Sequence, residues 1–237
     1  MNNPKKIPLP GFKKSEVPYM LRHIPKDKNK SILIVGERKG GIEGISESIL
    51  AKGYNNVTTT DILSSPKDSW LKTNTNWKHI TEDFTKFNGE TKYDCIVSIS
   101  VFEHFGFWFA GNQMFSGDHE SYIVKWNHDI LGIIKSSNLL KDKESKVIIT
   151  LPAGPFLNYE EDGYPFLRYY DYRRQNIIKN KLKEINCSIT NEQFYHTEDY
   201  ENFVQMDPSI NNPQYYGMYN SHTQNVGWYF TIQNNKI

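Results

Sequence analysis

Three scarcities narrow what this sequence can be. Cysteine is the first: only Cys95 and Cys187 occur in 237 residues, too few for a disulfide framework. Cys95 falls in a segment read below as a strand and Cys187 at the edge of another, which marks them as buried thiols and fits a reducing, cytoplasmic setting. Charge of one sign is the second. Lys+Arg number 28 against Asp+Glu 27, a net charge of +1. Without a global positive field, nucleic acid is not an expected partner. Long apolar runs are the third: none approaches the roughly 20 residues that span a bilayer. The basic start, Met1-Asn2-Asn3-Pro4-Lys5-Lys6, has no apolar stretch behind it. Neither a membrane anchor nor a signal peptide is expected.

What is present suits one α/β domain with a substantial core. Aromatic residues reach 14%, and many lie outside the expected strands, in residues 105–115 and 215–219. Aromatic clusters in connecting segments tend to line a pocket or an interface.

Residues 1–30 are rich in proline and lysine and read as an N-terminal arm with one short helix over 16–23, outside the sheet. Regular structure begins at Ser31. Ile32-Leu33-Ile34-Val35 is a continuous apolar run of strand length, closed by Gly36, as in a strand buried on both faces. Ile42, Ile45, Ile49 and Leu50 fall on one face of a helix, and Gly53 is its C-cap. Strands follow over 57–60, 78–81, 93–100 and 146–151. Helices lie between, one marked by Ile123, Trp126, Ile130 and Ile133, another spanning 171–185. Strands at 188–195 and 227–233 end the pattern. The alternation predicts a doubly wound, mostly parallel seven-stranded sheet, Rossmann-like, with an antiparallel edge, over residues 31–237. Residues 199–225 are too long for a plain connection and read as a cap.

In such a sheet, ligands bind beyond the carboxyl ends of the strands. Gly36-Glu37-Arg38-Lys39-Gly40-Gly41 stands there, with Gly36 turning the chain and Gly40 and Gly41 allowing close approach to a ligand. A plain strand-to-helix turn would also carry glycine. Asp61, at the end of the second strand, can accept hydrogen bonds from both hydroxyls of a ribose; a helix cap is the plainer role. Asp83-Phe84 follows the third strand, where an acid can meet an adenine amino group and an aromatic can cover the ring.

These segments resemble the class I S-adenosylmethionine-dependent methyltransferases. The resemblance runs through residues 32–40, Asp61-Ile62 and Glu82-Asp83-Phe84. It continues through residues 92–104, ending Ser100-Val101-Phe102-Glu103-His104, and through 146–155. Arg168-Tyr169-Tyr170-Asp171 resembles an element of a subgroup associated with surface-glycan biosynthesis. The resemblance implies S-adenosylmethionine as cofactor, held by Gly36, Glu37, Gly40, Asp61, Ile62, Asp83, Phe84 and Ser100. Two positions depart from the family pattern. Ile34 stands where an acid usually helps hold the methionine amino group, and Arg38 replaces the middle glycine. A nicotinamide dinucleotide enzyme is the rival reading, but Gly36 and Gly41 match only two of its three fingerprint glycines. A non-catalytic binding protein on a degenerate methyltransferase fold is the other.

Methyl transfer to a hydroxyl needs a positioned nucleophile and a base. His104 is the candidate base, because an imidazole is available neutral at pH 7, and Glu103 is placed to orient it or to bind substrate. Asp118-His119-Glu120, with Glu103 and His104, would make a metal site only as the lesser alternative to a substrate loop. Aromatic faces interleaved with polar groups suit a sugar ring. Trp108, Asp118, His119, Tyr169 and Tyr170 are therefore the expected substrate contacts, with caps near 105–120 and 199–225. The expected acceptor is a sugar, nucleotide-sugar or related glycan precursor. The arm and the aromatic loops are also candidate homodimer contacts.

Overall fold

A computed structural model of the chain describes residues 13–36, 45–62, 73–106, 126–154, 158–161, 164–197, 202–206 and 226–235. The strands, in chain order, are β1 Ile32–Val35, β2 Val57–Asp61, β3 Trp77–Thr81, β4 Cys95–Ile99, β5 Lys146–Ala153, β6 Asn158–Glu161, β7 Tyr164–Arg168, β8 Cys187–His196, β9 Val204–Met206 and β10 Val226–Asn234. Helices are α1 Lys13–His23, α2 Ile45–Leu50, α3 His128–Asn138 and α4 Tyr172–Glu184, with a 3-10 turn at Phe102–His104.

Eight strands form one sheet in the order β3-β2-β1-β4-β5-β10-β8-β9. Pairs from β3 to β5 are parallel, whereas β10 runs antiparallel to both β5 and β8. The doubly wound sheet with an antiparallel edge is therefore as the alternation predicts. It has eight strands where seven were expected, because β9 adds itself antiparallel to β8. Its residues Val204 and Gln205 are exposed, so no buried face marks it in the sequence. The hairpin of β6 and β7 is the other unexpected element.

Strand alternation divides the core between the two faces of the sheet. Leu33, Val35, Ile96, Val147, Ile149, Trp228 and Phe230 face α3 and α4, packing with Ile130, Ile133, Ile178 and Leu182. Ile32, Ile34, Val97, Ile99, Ile148 and Tyr229 face α1 and α2, packing with Val17, Met20, Ile45 and Ile49. The helix expected over 16–23, outside the sheet, begins at Lys13 and packs on the second face. The two cysteines are buried free thiols. Gly53 closes α2 at a φ of +85°, as a C-cap glycine should. No described helix is long and apolar enough to cross a membrane.

Beneath the α3–α4 side lies a buried charge system centred on Asp129. Its Oδ2 accepts from the Tyr170 hydroxyl at 2.9 Å and from Arg174 Nε at 2.9 Å. Its Oδ1 accepts from Arg174 Nη2 at 2.5 Å and lies 3.3 Å from Arg168 Nη1. That same Nη1 donates to the carbonyl of Phe105 at 2.6 Å. Asp171 caps α4 by accepting from Arg174 N at 2.8 Å, so the sequence Arg168 to Arg174 ties both helices to the 3-10 turn. Asp129→Ala would leave two buried guanidinium groups without their carboxylate. We expect a loss of about 3–5 kcal/mol in urea unfolding, with Asp129→Asn losing less.

Candidate active site

Strand order reverses between β1 and β4, the two neighbours at the centre of the sheet. The crevice outside their carboxyl ends is the place where open α/β sheets bind ligands. Gly36 leaves β1 there at a φ of +79°, a conformation that side-chain-bearing residues adopt only at a cost. A Cβ built on it would lie 2.2 Å from Val101 Cγ1, so Gly36 is required both by its backbone angle and by the close approach of Val101. Its N–H donates to the carbonyl of Thr60 at 2.7 Å, which brings the glycine turn beside the end of β2. Asp61 follows at that end and is only 8% exposed. The glycine turn and the acid are thus neighbours on adjacent strands, as the ribose reading requires. Ile62 projects outward, exposed.

Ser100 follows β4 with a φ of +50°, which costs a non-glycine residue about 1–3 kcal/mol unless its surroundings hold it. Its N–H donates to both the carbonyl and the hydroxyl of Thr150, each at 3.1 Å. Its hydroxyl donates to Glu16 Oε1 in a short hydrogen bond. Glu16 also accepts from Thr150 Oγ1 at 2.8 Å. Lys13 Nζ donates to the carbonyl of Ile99 at 2.8 Å and stands 3.5 Å from Glu16 Oε2. The sequence reading placed none of this at the site. The available signal was a Lys-x-x-Glu pair on a short helix, which reads as a solvated i,i+3 ion pair.

Glu103 and His104 occupy the 3-10 turn. His104 Nε2 lies 4.0 Å from Glu103 Oε1, too far for a hydrogen bond. The two differ in access: the His104 side chain is 29% exposed and that of Glu103 is 4% exposed. Glu103 Oε2 is buried with no hydrogen-bond partner. Burial pushes the Glu103 carboxyl up to about 8, opposed by a hydrogen bond from its own backbone and by Lys13 and Arg168, with the nearby charge of Glu16 adding to the rise. At pH 7 Glu103 is therefore largely neutral, and His104 is the more accessible base of the pair.

The other expected contacts separate. Asp83 Oδ1 accepts from Thr85 N at 2.9 Å and Thr85 Oγ1 at 2.7 Å, a local turn in which the acid remains partly exposed. Phe84 is 3% exposed and packs with Phe87, Phe102 and Phe105. It is a core residue rather than the expected cover for an adenine ring, because aromatic neighbours already surround it. Tyr170 is fully buried, with its hydroxyl spent on Asp129; this corrects its expected place on a substrate rim. Tyr169 beside it stays partly exposed. Glu37, Gly40, Trp108, Asp118, His119 and Glu120 lie outside the described residues, as do Arg38 and most of both expected caps. Among the described residues no group of three His, Cys, Asp or Glu side chains could hold a metal ion.

No family model matches the sequence, and no curated protein matches it. Solved structures do match. Coclaurine N-methyltransferase bound to N-methylheliamine and S-adenosylhomocysteine superposes with a TM-score of 0.60 at 11% identity, over 98% of this chain and 78% of that one. N-methyltransferase NodS from Bradyrhizobium japonicum WM9, with S-adenosylhomocysteine, gives 0.59 at 10% identity over 100% and 94%. The 1,6-didemethyltoxoflavin-N1-methyltransferase of Burkholderia thailandensis gives 0.56 at 10% identity over 94% and 78%. The fold is that of the S-adenosylmethionine-dependent methyltransferases.

The raised Glu103 sets a pH dependence. Its folded-state value lies above the ordinary value of 4.5, so the folded chain holds the proton more tightly than the unfolded one. The corresponding stability is complete below about pH 4.5 and is lost as pH rises to about 8. Glu103→Gln keeps the shape without the titration. Urea midpoints taken from pH 5 to pH 8.5 should therefore favour the variant increasingly over the parent chain; parallel curves would show that Glu103 titrates normally.

Proposed function

We propose that this chain is a class I S-adenosylmethionine-dependent methyltransferase that methylates a hydroxyl of a small polar acceptor, a sugar or sugar conjugate. The observation that carries the reading is the arrangement at the switch point: Gly36 in a left-handed turn, the buried Asp61 one strand away, and Ser100 to His104 on the opposite lip. The residues fit the cofactor where they are described. Asp61 is a carboxylate acceptor for ribose hydroxyls, and Gly36 turns the chain into the donor loop at the exit of β1. Ile34 is fully buried among α1–α2 core residues, so a contact with the methionine amino group has to come from another position, or cofactor binding is weak.

When bound, S-adenosylmethionine supplies a methyl group on a sulfonium that is already a good leaving group. The protein then has to position, desolvate and deprotonate the acceptor. His104 takes the hydroxyl proton on a neutral ring nitrogen, while buried Glu103 stays neutral below its raised value and leaves that imidazole without a competing charge. Aromatic residues interleaved with Asn, Asp and His in segments 105–120 and 199–225 support a sugar as acceptor. An amine acceptor is the second reading, favoured by the three structural relatives named above, all N-methyltransferases. An amine requires less help from a base.

Calorimetric titration with S-adenosylmethionine and S-adenosylhomocysteine tests the reading. Micromolar binding is expected, and Asp61→Ala should weaken it roughly 10- to 100-fold, the loss of hydrogen bonds to a charged group. No binding at millimolar cofactor would sink the enzyme reading, and NADH binding in its place would promote the dinucleotide rival. With a panel of hydroxy- and amino-sugars, His104→Ala should bind cofactor normally and lose about 10²- to 10⁴-fold in turnover on oxygen acceptors. Full turnover by that variant would remove His104 as base and favour nitrogen.

A further inference from the structure

We propose that Glu16 of helix α1 is a positioning residue of the methyl-donor site: it holds Ser100 in its left-handed conformation and so seats Val101 against Gly36. The inference rests on the reading of that crevice as the donor site, and its structural half can be tested without any ligand.

Strand alternation supplies the first argument. Ile99 faces α1, and its register partner on β5 is Thr150. A regular continuation of β4 would point Ser100 to the opposite face, as it does Ser98. Instead the Ser100 hydroxyl meets the same Glu16 oxygen as the Thr150 hydroxyl. The positive φ turns the side chain out of alternation and onto the α1 face, and Glu16 is the group that receives it there.

The second argument is the path of the chain beyond Ser100. Val101 follows directly, and both of its γ-methyl carbons crowd the space where Gly36 would carry a Cβ, at 2.2 and 2.6 Å. The backbone turn at Ser100 aims Val101 at the exit of β1, where the glycine loop begins. A relay of Glu16, Ser100, Val101 and Gly36 therefore connects α1 to the donor loop. Glu16 is itself fixed for this task. It is 2% exposed, has Lys13 beside it, and belongs to a helix pinned by Lys13 on the Ile99 carbonyl and by Ser15 to the Tyr229 hydroxyl at 2.7 Å.

The test uses the full chain with Glu16→Ala, Ser100→Ala and the double variant Glu16→Ala/Ser100→Gly. Two measurements are made: residue-resolved amide exchange without ligand, and calorimetry with S-adenosylhomocysteine. Glu16→Ala should speed exchange at the Gly36 and Ser100 amides and weaken S-adenosylhomocysteine binding roughly 5- to 30-fold. Ser100→Ala, which keeps every side chain of α1 and the Glu16–Thr150 hydrogen bond, should do the same if Glu16→Ala does not fold. The double variant is the decisive arm. Glycine adopts the left-handed turn unaided, so it should recover most of the lost affinity and protection, which a general loosening of α1 would not allow. Unchanged exchange at Gly36 in both single variants, or a double variant as weak as Glu16→Ala, overturns the proposal. Failure of the parent chain to bind S-adenosylhomocysteine overturns the donor-site reading instead, while the exchange arms still decide whether the relay exists.

Discussion

The burial of Asp129 is the constraint on which the α3–α4 side of this molecule depends. A carboxylate fully removed from water is tolerable only with opposite charge and hydrogen-bond donors around it: Arg174 and the Tyr170 hydroxyl donate to it, and Arg168 supplies a second positive charge at 3.3 Å. Their positions then become fixed as well. Arg174 can serve only if α4 starts at Asp171, whose side chain caps the Arg174 amide. Arg168 can serve only if the 3-10 turn presents the carbonyl of Phe105 to it. The place of His104, the one accessible titratable group on that turn, is thus decided by a buried ion system on the far side of its own backbone.

Burial has the opposite outcome at Glu103, whose carboxyl is raised to about 8, while Asp129 is surrounded by donors. Glu103 is buried without a hydrogen-bond partner for Oε2, and a second buried acid, Glu16, is close enough to oppose its ionisation. A hydrogen bond from its own backbone, Lys13 and Arg168 act in the other direction but do not win. Asp94 makes the contrast plain at the opposite end of β4. Burial would raise it too, yet hydrogen bonds from Lys30 and from the Ser31 amide and hydroxyl hold it at about 2. Several hydrogen bonds from Lys30 and Ser31 decide Asp94, whereas desolvation decides Glu103.

Much of the fold was legible in the sequence because its signals are local. The apolar run at 32–35 and the alternation of strands with helical patterns need only neighbouring residues to be recognised, and the carboxyl-end rule then places Gly36, Asp61 and Ser100 without further input. The unread parts are non-local or lack a buried face. Glu16 meets Thr150 across 134 positions in the chain, and nothing near either residue announces the other. Tyr170 and Phe84 carry side chains equally suited to a ligand surface or a core. Only the packing of Phe87, Phe102 and Phe105, or the carboxylate of Asp129, assigns them inward. Part of the aromatic abundance is therefore core, which composition could not show.

The two buried polar systems meet on one short stretch of chain. From the α1 face, Lys13 holds the carbonyl of Ile99 and Glu16 holds the hydroxyl of Ser100. From the α3–α4 face, Arg168 holds the carbonyl of Phe105 and approaches that of Phe102 at 3.5 Å. Between these anchors lie Val101, pressed on Gly36, and the Glu103–His104 pair. A loop at the mouth of a parallel sheet would ordinarily be among its more mobile parts. Here it is fastened from both faces by groups that cannot let go without exposing a buried charge to an apolar interior. Positioning is the main demand that the methyl transfer proposed above makes on a protein. A segment held in this way meets that demand before any ligand arrives, so the ordering of residues 99–105 is done by folding rather than by binding.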